Sequence, residues 1–89
     1  MITIKFDESA VNWCKDQETN HMYLIQQKHW FEDLFKHRGY IYLNQIYEAL
    51  GVRWDSTKEN VLWIYGQDIF CFGFKRFGDL NKWIVTIDR

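Results

Sequence analysis

Residues 70–77 read FCFGFKRF, and this stretch decides how the chain folds. A strand over residues 69–74 places Phe70, Phe72 and Phe74 on one face and the alternate positions, Ile69, Cys71 and Gly73, on the other. Burying an aromatic side chain removes about 150–250 Å² from water at ~25 cal/mol per Å², so exposing this row would cost several kcal/mol for each ring. These three side chains are therefore predicted to form the centre of the hydrophobic core, where the protein's own helices cover them.

Two further segments alternate in the same way and extend this strand into a sheet. Residues 83–88 form a second strand, and the intervening residues 77–81 contain the Gly, Asp and Asn that are typical of a hairpin loop. Residues 2–6 form a third strand at the start of the chain. The predicted inward sets are Trp83, Val85 and Ile87 in the hairpin and Ile2, Ile4 and Phe6 in the first strand. The three strands predict one antiparallel sheet.

The strongest helical pattern runs from about His21 to His37. Its apolar stripe consists of two neighbouring rows, Tyr23, Gln27, Trp30 and Leu34 in one and Leu24, Lys28, Phe31 and Phe35 in the other. We expect Asn20 to cap its start and Gly39 to end it, with basic residues in the last turn.

Three shorter helices complete the prediction. One follows a cap at Asp7 or Ser9 and includes residues 10–14, one runs from Leu43 or Asn44 to Leu50, and one begins with a capping box at Ser56. The pattern leaves open whether residues 9–37 make one helix or two. The predicted fold is thus α+β, a single domain over residues 1–89, with three to four helices packed on one face of a three-stranded antiparallel sheet.

The charge balance limits the classes of partner. The chain has 11 basic and 12 acidic residues, whereas proteins that wrap nucleic acid normally carry a clear basic surplus. No apolar run approaches the roughly 20 residues of a membrane span, and no signal-peptide core precedes the first strand. We expect a cytoplasmic protein, in which Cys14 and Cys71 are two buried thiols; one disulfide between them is the alternative.

Two nucleic-acid motifs are partly matched. Phe72, Gly73, Phe74 and Phe77 fit the aromatic signature of RNA-binding sheets, but that signature has a basic residue and a glycine where this chain has Phe70 and Cys71. Residues 43–52 followed by a helix from Ser56 resemble a DNA-reading helix-turn-helix, but Lys58 is the only cation in the helix that would read the bases. Nucleic-acid binding is therefore the alternative function, not the first.

No constellation for catalysis or metal binding is evident. His21, His29 and His37 are spaced eight residues apart and spiral around a helix instead of converging. A metal site, a cofactor and a small-molecule substrate are not predicted, and we expect the chain not to be an enzyme.

The first hypothesis is a non-enzymatic interaction module that binds a protein partner or a second copy of itself. It rests on the high aromatic content and on apolar residues of the second sheet face, near basic residues of the hairpin loop. The predicted interaction surface consists of Ile69, Ile84, Trp54, Lys75, Arg76 and Lys82.

Residues 30–74 also resemble an uncharacterised small domain found in bacteria and associated with prophages. The matching residues are Trp30-Phe31, RGYIYLNQIYEALG over residues 38–51, WIYG over residues 63–66 and FGF over residues 72–74. The resemblance implies an accessory protein of a phage or mobile element and carries no established activity, so no site residue is transferred from it.

Overall fold

The computed structural model describes residues 2–53, 61–78 and 80–87. Its elements, in chain order, are β1 (Ile2–Phe6), α1 (Gln17–Arg38), β2 (Tyr40–Tyr42), α2 (Leu43–Leu50), β3 (Leu62–Ile64), β4 (Phe72–Arg76) and β5 (Trp83–Ile87). Neither of the helices within these residues combines the length and the apolar character that crossing a membrane requires.

The predicted three-stranded antiparallel sheet is confirmed. β5 lies in its centre, with β1 on one side and β4 on the other. Ile4 and Phe74 both lie opposite Val85, one on each neighbouring strand. Trp83, Val85 and Ile87 are all buried, as the alternation predicts. The class is α+β, as expected.

Helix α1 covers one face of this sheet. The ring of Phe31 lies nearly parallel to that of Phe72, with centroids 6.2 Å apart, and the two side chains are 2% and 0% exposed. Phe35 contacts Phe70 at a centroid distance of 5.5 Å, and Phe74 is half-buried at the other end of the row. Since the helix covers Phe70 and Phe72, the described sheet does not offer a row of three bare rings to stacked bases.

Helix α1 is a single helix that begins earlier than predicted. Asp16 Oδ1 accepts a hydrogen bond from the N–H two residues further on, at 3.2 Å, so Asp16 is the N-cap instead of Asn20. Gly39 ends the helix with a φ of 92°, as expected. Trp30, which was expected in the apolar stripe, is 60% exposed, because the neighbouring row of α1 makes the contact with the sheet.

The prediction of a first helix over residues 10–14 is wrong, because this segment forms turns and coil. Asp7 Oδ1 accepts hydrogen bonds from the N–H and the hydroxyl of Ser9, at 3.0 and 2.6 Å, and such local bonds favour turns over helix. The N–H of Val11 donates to the carbonyl of Gly51 at 2.9 Å, which ties the segment to the end of α2. Residues 9–37 therefore contain one helix.

β2 and β3 form a separate two-stranded sheet. Ile41 and Trp63 lie opposite each other in it, and both are fully buried. The prediction of a helix from Ser56 is therefore wrong for its last residues, because Leu62–Ile64 forms strand β3. The start of the predicted helix lies in residues 54–60, which are outside the described part of the chain. A short apolar run fits either structure, and here the pairing with β2 decides.

Helix α2 has the predicted bounds and ends at Gly51, whose φ is 71°. In a helix-turn-helix, the reading helix would extend over residues 62–64. These residues form strand β3 instead, so the described residues do not form that motif. The described chain has two helices, α1 and α2, where three to four were predicted.

Candidate interaction surface

The face of the three-stranded sheet that points away from α1 is an exposed or half-exposed surface, here named the outer face. Its residues alternate with those of the core along each strand. They are Thr3 and Lys5 of β1, Ile84 and Thr86 of β5, and Gly73 and Lys75 of β4. None of these six residues is buried, so the described parts of the chain leave this face largely open to solvent.

A row of three residues crosses the outer face and gives it its character. Lys5 lies directly opposite Ile84 on one side, and Lys75 lies directly opposite it on the other. Because neighbouring strands are about 4.8 Å apart, the two lysine backbones are roughly 10 Å apart. Both lysines are exposed and Ile84 is half-buried between them. The row therefore presents an apolar side chain flanked by two positive charges.

The neighbouring row is flat. Thr3, Thr86 and Gly73 lie side by side across the strands. A Cβ atom at Gly73 would lie 3.1 Å from Thr86 Oγ1, so a larger residue there would push against the threonine. Because Gly73 has no side chain, no group projects from this position of the outer face, and an extended chain could lie across it.

A cleft of about 250 Å³ lies at the hairpin-loop end of the outer face. Its walls are formed by Lys5, Asp7, Phe77, Lys82, Trp83 and Ile84. The Phe77 side chain is 57% exposed, and Lys82 Nζ lies 3.5 Å from Glu8 Oε1 in an exposed ion pair. The cleft thus combines two aromatic residues, two lysines and a carboxylate.

Asp7 holds its negative charge in this cleft. The hydroxyl and the N–H of Ser9 donate to its carboxylate and lower the pKa of Asp7 below its ordinary value, with a smaller contribution from the positive charges of Lys82 and Lys5. Lys5 and Lys75 form no ion pair with any other described residue. A ligand of the outer face would therefore meet two unpaired ammonium groups beside a region of mixed charge.

The structure brings together three of the predicted interaction residues, Ile84, Lys75 and Lys82. Arg76, the last residue of β4, lies opposite the core residue Trp83, and its Nε donates to the Gly78 carbonyl at 3.1 Å, so it is not part of the outer face. Ile69 is 82% exposed but precedes β4. Trp54 lies outside the described residues.

Two residues of the surface were missed by the sequence reasoning. Lys5 comes from the opposite end of the chain, and the strand pairing alone brings it next to Ile84. The alternation of residues 2–6 could have shown it, because Lys5 is an outward position of a strand predicted in the same sheet. Phe77 was assigned to the loop, and its ring is a wall of the cleft.

The described cysteines and histidines form no metal-binding cluster. Cys14 and Cys71 are free thiols, and the prediction that both are buried is wrong because Cys14 is only half-buried and Cys71 is exposed. His21 stacks on Trp83 with a centroid distance of 5.5 Å and an angle of 8° between the rings. Within the described residues, no group of three or more histidine, cysteine, aspartate or glutamate side chains could hold a metal ion.

The chain belongs to a family of unknown function, DUF6353, whose sequence model matches residues 3–88. The resemblance to an uncharacterised small domain is thereby confirmed, and the match extends beyond the segment that carried it. No curated protein and no solved structure matches the chain.

Proposed function

We propose that this member of the family is a non-enzymatic interaction module that binds an acidic segment of a protein partner on its outer face. The observation that carries the proposal is the row in which Lys5 and Lys75 flank Ile84. An apolar residue between two unpaired cations suits a segment in which carboxylates accompany an apolar side chain. The role in phages or mobile elements that the resemblance implies is part of the proposal and is supported by that resemblance alone.

The dimensions of the surface support a macromolecular ligand. The cleft of about 250 Å³ is smaller than the ~300–1,000 Å³ of typical small-molecule pockets. The open row of lysines continues from the cleft along the sheet, so an extended segment would make more contacts than a compact molecule.

The charges of the protein argue against two other ligands of the outer face, a second copy of the chain and nucleic acid. A second copy that docked through the same face would place its own Lys5 and Lys75 against these lysines, and like charges would repel. Nucleic acid would be attracted to the lysines, but the whole chain has a formal net charge of −1 and would repel phosphates elsewhere. The exposure of Ile69, at 82%, favours self-association through a different surface.

The test is a binding titration with a fluorescent peptide in which glutamate alternates with valine. We expect salt-sensitive binding, and we expect Lys5→Glu and Lys75→Glu each to weaken it about ten-fold or more, since each reverses a charge that faces the ligand. Lys36→Glu, at an exposed position in the last turn of α1, makes the same charge change away from the outer face and should leave binding unchanged.

Parallel measurements separate the other occupants. Light scattering that shows a concentration-dependent dimer, together with no peptide binding, would replace the proposal by self-association. Salt-sensitive binding of duplex DNA or single-stranded RNA that exceeds peptide binding and is lost in Lys75→Glu would replace it by nucleic-acid binding. If neither lysine variant changes the affinity for the peptide, the outer face is not the binding surface.

A further inference from the structure

The two edges of the three-stranded sheet can be distinguished from its hydrogen-bond pattern. The N–H of Phe77 donates to the Lys82 carbonyl at 2.7 Å and continues the ladder between β4 and β5. In an antiparallel pair every second residue bonds to the partner strand. Residues 73 and 75 therefore bond to β5, and residues 72, 74 and 76 direct their backbone groups away from it.

The same alternation fixes the other edge. Residues 84 and 86 of β5 face β4, so residues 83, 85 and 87 bond to β1. Their partners are Phe6, Ile4 and Ile2. The N–H and C=O groups of Thr3 and Lys5 consequently point out of the sheet, along the outer edge of β1.

The β4 edge is covered where it begins. Lys28 Nζ, which comes from α1, donates to the Phe72 carbonyl at 2.8 Å and also lies 3.1 Å from Glu32 Oε2. This is a means by which proteins protect an edge strand from pairing with other chains.

The β1 edge has no such cover from the residues that the structure describes. Beyond the ladder to β5, none of these residues forms a hydrogen bond or ion pair with Thr3 or Lys5, and both are exposed. Two residues with outward backbone groups are thus available to a further strand, and they lie beside the lysine row of the outer face.

We propose that the β1 edge accepts an extended acidic segment of a partner protein as a fourth strand of the sheet. Its backbone would pair with Thr3 and Lys5, and its alternate side chains would lie on the outer face beside Lys5. The inference rests on the proposed function and specifies how the part of the ligand beside Lys5 is held; the rest of the same segment would continue over the outer face to Ile84 and Lys75.

The charge of Lys5 selects this occupant over a second copy of the chain. A second copy that added its own β1 to the edge would bring another Lys5 and the rest of its lysine row to the same face of the joined sheet. An acidic strand places carboxylates there instead.

The test uses Thr3→Pro in the peptide titration. Proline at an edge position whose N–H points outward leaves the ladder to β5 intact, but it removes the donor and blocks the approach of a further strand. We expect binding to the alternating glutamate–valine peptide to fall about ten-fold or more, whereas Thr3→Ala, which retains the N–H, binds like the unmodified protein. Circular dichroism establishes that both variants are folded.

The outcomes separate the two proposals. If Thr3→Pro binds normally while Lys75→Glu does not, strand addition is overturned and the acidic ligand of the outer face stands. If both variants bind normally, both proposals fail. A dimer that Thr3→Pro dissolves would show that a second copy occupies the edge and would overturn the acidic strand.

A second measurement covers the case in which Thr3→Pro does not fold. Amide hydrogen exchange of the unmodified protein should slow at Thr3 and Lys5 when the peptide is added, because their N–H groups become hydrogen-bonded. Ile4, whose N–H already faces β5, is the internal reference. Bound peptide without added protection at Thr3 and Lys5 would rule out strand addition.

Discussion

The side chain of Asn20 donates a hydrogen bond to Asn81 Oδ1 at 2.9 Å, and this bond joins the first turns of α1 to the loop between β4 and β5. Asn20 also accepts from the N–H of Cys14 and donates to its carbonyl, at 3.0 and 2.8 Å. Asn81 in turn donates to the Lys15 carbonyl at 2.9 Å and accepts from the Trp83 indole at 3.2 Å. These two asparagines hold together three segments that are distant in sequence, including the loop that carries Lys82.

The first prediction follows from the burial of Asn20, which is 1% exposed. Replacing it with alanine removes the partner of the Cys14 N–H and one of the two amide donors to the Cys14 carbonyl, which keeps the bond from Asn81 at 3.2 Å. We expect Asn20→Ala to lower the free energy of unfolding by about 1–3 kcal/mol, measured by urea denaturation. Gln26→Ala removes an exposed amide from the same helix and should change stability by less than about 0.5 kcal/mol. Equal effects of the two variants would contradict the role given to Asn20.

A second prediction compares two glycines with positive φ. Gly51 has a φ of 71°, and a Cβ atom there would lie 2.8 Å from the Asn12 nitrogen, whereas Gly66 has a φ of 91° and nothing within 4 Å of that position. Gly66→Ala should destabilise by roughly 1–2 kcal/mol, from backbone strain alone. Gly51→Ala adds a backbone clash and should be more damaging by at least about 1 kcal/mol in thermal or urea unfolding. The comparison fails if both variants are equally stable.

The third prediction concerns alkaline pH. Burial raises the pKa of the Tyr23 hydroxyl above its ordinary value, against a smaller opposite effect of the hydrogen bond from Asn12; the hydroxyl donates to the Ala49 carbonyl. A raised pKa in the folded state means that the stabilisation is complete below about pH 10 and is lost as the pH rises through the folded pKa.

Two measurements on Tyr23→Phe check this dependence. The tyrosinate absorbance of the unmodified protein minus that of the variant should titrate with a midpoint above about 10. The stability of the variant should fall less between about pH 10 and pH 11 than that of the unmodified protein. A difference titration centred below pH 10 would show that the hydroxyl is not held in its neutral form.

Local signals predicted much of the fold. The alternation of β1 and β5 and the left-handed glycine after α1 are readable from a few neighbouring residues, and the structure contains all three. The segment over residues 10–14 and strand β3 were wrongly assigned to helices because their structure depends on distant partners. Val11 bonds to Gly51, and β3 exists because it pairs with β2.

The candidate surface was predicted only in part for a related reason. Ile84 was assigned to it from the alternation of its strand and Lys75 as a basic residue at the hairpin loop, and both signals are local. Lys5 precedes Lys75 and Ile84 by 70 and 79 residues in the chain and joins them only through the register of β1 on β5. Ile69 was placed on the surface because β4 was expected to begin there, but the strand begins at Phe72.

The last prediction tests the interpretation of FCFGFKRF itself. Phe72 and Phe77 belong to the same aromatic stretch but differ in burial. Phe72 is 0% exposed and its ring packs against that of Phe31, whereas Phe77 is 57% exposed and lines the cleft. If the stretch is a core strand, Phe72→Ala removes a buried ring and leaves a cavity, and it should lower the free energy of unfolding by about 3–5 kcal/mol.

Phe77→Ala is the matched change, and it should alter stability by no more than about 0.5 kcal/mol because its ring is largely in water already. Urea denaturation of the two variants side by side gives both values. Although its effect on stability is small, Phe77→Ala should lower the affinity for the acidic peptide if the proposed function is right. The exposed ring is a wall of the cleft beside Lys5 and Lys82. A Phe72→Ala protein as stable as the unmodified one would mean that α1 does not cover this ring, and the stretch would then have to be reconsidered as a stacking platform.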